Sequence, residues 1–392
     1  MGNRDIIKAA LLTPAFHGRW GLPLLFEGEP GTGKSSQIAA IGKELGLHVE
    51  VLMPSIKDPT DISGLPVVNK SGSVNLASPG WAQRLCEAGS GLLFADELTT
   101  CAPAVQAALL GVVLEGVVGD TRLPPGVRII SASNSVDDAA NGQSLAPPLA
   151  NRFGHMAWGS PNVDAWSEYM LSLSSGSDSK GPVTNLEKEE ARVMELWPAA
   201  FAKAVAYTTS FLTKRPELLH AKPSCDDPQS SKAWPSSRTW EFASRALASS
   251  YVHKLSAADT HNLISGFVGV GPTSEFLRWM TSAELPDPAK LLKGEVDWNV
   301  AETRSDITHA VLQSITYTYL SDEKVYSPYI ENLIDIFCKV ADSGTTSDVL
   351  IRPIRRLNKA GVIKPGDHKS KRREKILELF EALGDFADAA KL

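Results

Sequence analysis

The chain is poor in cysteine, has no strong excess of either charge and contains no long apolar run; each shortage removes a class of protein. Four cysteines in 392 residues, Cys86, Cys101, Cys225 and Cys338, lack the paired spacing of a zinc site or a disulfide framework. They read as reduced thiols, the pattern of a cytoplasmic protein. Lys and Arg number 39 against 45 Asp and Glu, a net charge of -6. That balance argues against an obligate nucleic-acid binder and leaves room only for a local basic patch. No stretch approaches the roughly 20 apolar residues of a membrane-spanning helix. Residues 1–16 lack the charged head, apolar run and small-residue cleavage site of a secretory leader. What remains is the material of a globular core: 43% hydrophobic and 21% charged residues, in enough chain for two or three domains. Trp158, Trp166, Trp197, Trp234, Trp240, Trp279 and Trp298 read as packing residues rather than as a ligand cage.

The most informative stretch follows the apolar strand Pro23-Leu24-Leu25-Phe26 and precedes a helix marked by Ile38, Ile41 and Leu45 and closed by Gly46. Between them lie Gly28, Glu29, Pro30, Gly31, Thr32, Gly33, Lys34 and Ser35, then Ser36: Gly-x-x-x-x-Gly-Lys-Ser, a phosphate-binding loop. The glycines let the backbone curl so that its N–H groups face a polyphosphate, and the helix N-terminus adds to that field. Lys34 is the candidate ligand of the β- and γ-phosphates, and the Ser35 hydroxyl of Mg²⁺.

A second apolar strand, Gly91-Leu92-Leu93-Phe94-Ala95, delivers Asp96 and Glu97 to its carboxyl end, where open parallel sheets bind ligands. Asp96 is then a Mg²⁺ ligand, directly or through water, and Glu97 the group that orients and deprotonates water. The plainer reading of the pair is a helix cap with its neighbour. A third strand, ending in Ala132-Ser133-Asn134, offers Asn134 to the γ-phosphate or the lytic water, or simply as a strand-end turn residue. Around these, residues 48–52 read as an edge strand, 54–66 as a proline-punctuated loop, and 67–74 and 116–125 as hairpins. Residues 145–152 form a short helix ending in Arg152, and 153–158 a last strand. Residues 172–180 are a Ser/Gly-rich insertion. Helices follow, one opening at Arg238, and the last, with its apolar stripe at residues 376–386, begins in the basic run at 369–375.

The ordered set Gly28-Glu29-Pro30-Gly31-Thr32-Gly33-Lys34-Ser35, Asp61-Ile62-Ser63-Gly64, Leu93-Phe94-Ala95-Asp96-Glu97, Val105-Gln106-Ala107-Ala108-Leu109-Leu110, Ala132-Ser133-Asn134 and Asn151-Arg152-Phe153 resembles the AAA+ ATPases, within them the MoxR-like branch related to dynein and midasin modules. The likeness runs from about residue 22 to 158. Two departures, Ser135 where proline is usual and Asn151 where aspartate is usual, bear on the subfamily rather than on phosphate contacts. The resemblance implies a P-loop parallel sheet sandwiched by helices (residues 1–160), a helical lid (161–290) and an extra C-terminal helical segment (291–392). It implies ATP and Mg²⁺ as ligands, Asn134 as a first sensor, Arg238 as a second, and Arg152 as an arginine finger for the neighbouring subunit. A finger in trans requires a homo-oligomeric ring, by the family a hexamer. Remodelling of a protein client follows, with a von Willebrand factor A domain protein as a partner, and the hairpins near Lys70-Ser71-Gly72 and Gly119-Asp120 facing the pore. Two rivals stand beside it. A nucleic-acid-stimulated motor or restriction-type NTPase would show salt-sensitive stimulation; a small-molecule kinase would be monomeric and indifferent to Arg152.

Overall fold

The computed structural model describes residues 2–134, 144–160, 163, 167, 184–224, 226–283, 285–300, 303–321, 323–343 and 348–363. Ser135, the 172–180 stretch, Cys225, the basic run at 369–375 and the last helix lie outside them. The chain forms two compact units: Met1–Trp197 with Leu218–Ser274, and Pro198–Glu217 with Glu275–Leu392.

The first unit is built on strands β1 (Leu24–Glu27), β2 (His48–Leu52), β5 (Ser90–Ala95), β8 (Gly126–Ser133) and β9 (Gly154–Ala157), all parallel, in the order β2-β5-β8-β1-β9. Two antiparallel hairpins are separate from it: β3 (Leu65–Val68) with β4 (Val74–Ala77), and β6 (Val117–Val118) with β7 (Thr121–Arg122). The helices of this unit are α1 (Gly2–Leu11), α2 (Lys34–Glu44), α3 (Pro59–Ser63), α4 (Gly80–Ala88), α5 (Pro103–Glu115), α6 (Pro147–Ala150), the start of α7 (Leu186–Lys214), α8 (Ser237–His253) and α9 (Ala257–Val268). This is the α/β P-loop architecture expected from the sequence. Central strands carry near-continuous apolar runs because both faces of a parallel sheet are covered: Leu24, Leu25 and Phe26 of β1, and Leu92 and Phe94 of β5, are fully buried.

The edge strand β2 departs from simple alternation. Val51 is exposed, whereas Glu50 is buried and accepts two hydrogen bonds from Arg84, 2.7 and 2.8 Å, and one contact from His48. A bidentate guanidinium satisfies the inward carboxylate. The expected loop at 54–66 is also corrected: it holds a short 3-10 turn, Pro54–Ile56, and α3. Pro59 stands at the first helical turn, where a missing N–H costs nothing, and the Asp58 amide donates to Asp61 Oδ2 at 3.1 Å. The proline that reads as a breaker is a helix start.

The second unit is helical: the remainder of α7, α10 (Val270–Ala283, which begins in the first unit), α11 (Pro288–Lys293), α12 (Ser305–Ser321), α13 (Glu323–Tyr326), α14 (Ile330–Asp342) and α15 (Asp348–Lys359). Leu312, Ile315, Leu333, Ile334, Phe337 and Ile354 form its core. No described helix is long and apolar enough to cross a membrane.

Candidate functional site

Three strands end together. Glu27 of β1 pairs with Ser133 of β8, and Ser131 of β8 with Ala95 of β5, so Gly28, Asn134 and Asp96 leave adjacent strands at one carboxyl edge. β1 lies between β8 and β9 while the chain leaves it for the far edge strand β2, which makes this edge a topological switch point. The loop that begins here is sterically specified. A Cβ on Gly28 would stand 2.3 Å from the Trp158 carbonyl oxygen. Gly31 and Gly33 have φ of +76° and +81°, left-handed values that favour glycine. Among the described residues, the amides of Gly31, Thr32 and Gly33 donate to no protein carbonyl. Trp158 underlies the loop, edge-on to Phe26 at 5.5 Å, with Nε1 donating to the Thr32 carbonyl at 3.4 Å. Glu29 accepts from Ser160, Pro30 is exposed, and Ser36 Oγ donates to the Gly33 carbonyl.

Lys34 is buried beneath the loop, and its Nζ donates to the Gly28 and Glu29 carbonyls, both 2.8 Å, and to Asn134 Oδ1, 3.0 Å. Ser35 Oγ donates to Asp96 Oδ2 at 2.5 Å, and the Glu97 amide to Asp96 Oδ1 at 3.0 Å. The two candidate metal ligands, 61 residues apart in sequence, thus touch. A hydroxyl and a carboxylate together suit Mg²⁺, which takes one or two protein oxygens and completes its shell with phosphate and water. The loop amides and Lys34 suit the phosphates themselves.

Glu97 has φ +55°, one of three positive-φ residues other than glycine among those described, with His17 and Lys254. For a glutamate this is a strained backbone, and such outliers concentrate at functional sites. Sequence reading missed what holds it. The next turn is pinned by Thr99, fully buried, whose amide donates to Ser133 Oγ at 2.9 Å and whose hydroxyl donates to the Asn134 carbonyl at 3.4 Å. The only signal was a pair of threonines after the two acids and a serine before the asparagine.

Arg152 and Arg238 are elsewhere. Arg152 precedes β9, and Gly154 of β9 pairs with Leu24 at the start of β1. The arginine therefore leaves the amino edge of the sheet, a strand length of about 13 Å from the phosphate loop at ~3.3 Å per residue. Its Nη1 donates to the Pro148 carbonyl at 2.7 Å, and its Nε is buried without a hydrogen-bond partner. Asn151, in the place of the usual aspartate, ties this turn to the start of α8: Ser236 Oγ donates to Asn151 Oδ1 at 2.9 Å, and Asn151 Nδ2 to the Trp234 carbonyl at 3.4 Å. The two arginines are electrostatic neighbours. Burial first, then the charge of Arg238, holds Arg152 below the usual arginine range, with Glu115 opposing.

No family model matches the chain, and no curated protein matches it. Among solved structures, a putative ATPase from Cytophaga hutchinsonii is similar over 70% of this chain and 87% of its own, with 15% sequence identity and a TM-score of 0.46. A likeness at that level bears on no residue role and no substrate, which rest on the geometry above.

Proposed function

We propose that this chain is an ATPase of the AAA+ type whose subunits form a ring, most simply a hexamer, and couple hydrolysis to remodelling of a protein client. The observation that carries the reading is the convergence of Lys34, the Ser35–Asp96 pair, Glu97 and Asn134 at one strand edge. Lys34 exchanges its carbonyl contacts for β- and γ-phosphate oxygens, while the loop amides donate to the same phosphates. Ser35 and Asp96 would hold Mg²⁺, which would supply neutralising charge for the phosphates. Glu97 orients the attacking water and accepts its proton, and Asn134 fixes the γ-phosphate or that water from the next strand. The position of Arg152 at the opposite edge supports its assignment to a neighbouring subunit's γ-phosphate, and Arg238 beside it is assigned the same direction.

The client reading draws on the hairpins. Leu65, Val67, Val68 and Val74 expose apolar surface along the strands of the β3–β4 hairpin, below its polar turn, and Asp120 of the second hairpin accepts from the Leu76 amide at 2.7 Å, which ties the two together. A chaperone-type client, with a von Willebrand factor A domain protein as the first partner to try, fits that surface. The ring is tested by mixing two inactive proteins, Lys34→Ala and Arg152→Ala. Each keeps the half-site the other lacks, so an equal mixture should regain up to about a quarter of wild-type sites. If no ratio restores turnover, the shared site is wrong.

A further inference from the structure

A cavity of about 470 Å³ opens at the amino edge of the same sheet, walled by the segment before β1, the end of α5, β7 and α8. Four guanidiniums line it, Arg19, Arg122, Arg238 and Arg245, against two carboxylates, Glu115 and Glu241. Arg245 is already paired with Glu241 and stacks between Phe16, 4.7 Å from the ring centre, and Phe242, 5.6 Å. The other three have no carboxylate partner among the described residues. Arg19 donates to the Leu114 carbonyl at 3.1 Å, and its head lies so close over Gly116 that a Cβ there would stand 2.5 Å from Nη2. Among the described residues Arg122 reaches the Glu115 carbonyl alone, at 3.4 Å. Burial, then the charges of Arg122 and Arg245, lowers the proton affinity of Arg19. His17 at the wall has φ +58°, a left-handed backbone uncommon outside glycine.

The unspent charge is positive, it is carried on planar forks that match phosphate oxygens, and Phe16 adds an aromatic face. The volume falls within the roughly 300–1,000 Å³ of small-ligand sites. We propose that this cavity is a second phosphate-binding site, filled from solution by a small, multiply charged phosphate compound of the pyrophosphate or nucleotide class, independently of the phosphate loop. The inference shares Arg238 with the proposed function but rests on Arg19 and Arg122, which that function does not use. The rival source of the same chemistry is a nucleotide presented by a neighbouring subunit.

The test is calorimetric titration of the full-length Lys34→Ala protein with pyrophosphate, the loop having lost its cation. Binding should persist, and adding Arg122→Gln should weaken it about tenfold or more, the cost of one charge-assisted hydrogen bond. Arg122 is exposed, so melting without ligand should be unchanged in that variant; Arg19→Gln gives a second reading of the same loss. Equal affinity with and without Arg122, or no binding at millimolar pyrophosphate, overturns the proposal. So does binding that appears only when subunits with an intact loop are added, which would assign the cavity to the neighbour's nucleotide.

Discussion

The two edges of the central sheet are chemical opposites. At the carboxyl edge one lysine meets carbonyls and an amide oxygen, a hydroxyl meets a carboxylate, and the groups satisfy one another within the subunit. At the amino edge guanidiniums outnumber carboxylates, and Arg152 keeps a buried Nε without a partner. A self-satisfied cluster is poised to exchange its contacts for a ligand it holds alone. A cluster with surplus donors is unfinished until something anionic arrives from outside. Under the proposed function, nucleotide is held at the carboxyl edge and the arginines of the other edge serve a neighbouring subunit.

The sharpest way to break that division is to compare Lys34→Ala with Arg152→Ala. The first should abolish the Mg²⁺-dependent part of binding in a fluorescent-nucleotide titration, the part held by the phosphate loop. The second should leave binding within a few-fold and lower turnover by about 10³ or more, the usual worth of an arginine finger. Loss of binding in both would erase the distinction. Next in size is Glu97→Gln, which should lower turnover by about 10²–10⁴ while retaining nucleotide, because it removes the base and keeps the shape. Ser133→Ala tests the missed support: it leaves the buried Thr99 amide without its acceptor, at about 1–3 kcal/mol. Turnover should fall roughly tenfold with KM little changed, since misplacing the Glu97 turn affects the reacting geometry. A larger effect on KM would place Thr99 in binding.

The last prediction concerns stability rather than turnover. His253, at the end of α8, is held by burial and then by the charge of Arg192 at a pKa of about 4, well below the ordinary histidine value of 6.5. The unfolded chain therefore binds the proton first, so stability is full above about pH 6.5 and declines as pH falls toward 4, by on the order of 3 kcal/mol. His253→Gln should flatten the dependence of urea midpoint on pH over that window; an unchanged slope would remove the histidine from the account.

What could be read from the sequence follows the same division. The carboxyl-edge residues come in short local strings, Gly28 to Ser35, Asp96-Glu97 and Ser133-Asn134, each attached to an apolar strand whose direction is implied by its covering helices. Their meeting then follows from strand order. The amino-edge cavity is drawn from residues near 19, 122, 238 and 245, separated by whole elements, with no motif to bind them. Arginines there look like any surface arginines until the fold sums their charges. Thr99 was invisible for a related reason: its importance lies in a backbone amide, which every residue but proline has. The short helix at Pro59 was misread because proline marks both breaks and starts, and only the Asp58–Asp61 contact decides.

One buried side chain sets where this molecule can be cut. Arg128 on β8 is fully enclosed; its Nε donates to the Leu11 carbonyl at 3.0 Å, and its other nitrogens reach the Gly126 carbonyl and the carboxylate of Glu190. A fragment stopping at residue 160 would keep the phosphate loop, Asp96-Glu97 and Asn134 yet strand that cation without the Glu190 carboxylate it pairs with, an omission worth about 3–5 kcal/mol in a buried pair. On the ribosome, the sheet likewise has to wait for the first turns of α7 to emerge before its interior is electrically neutral.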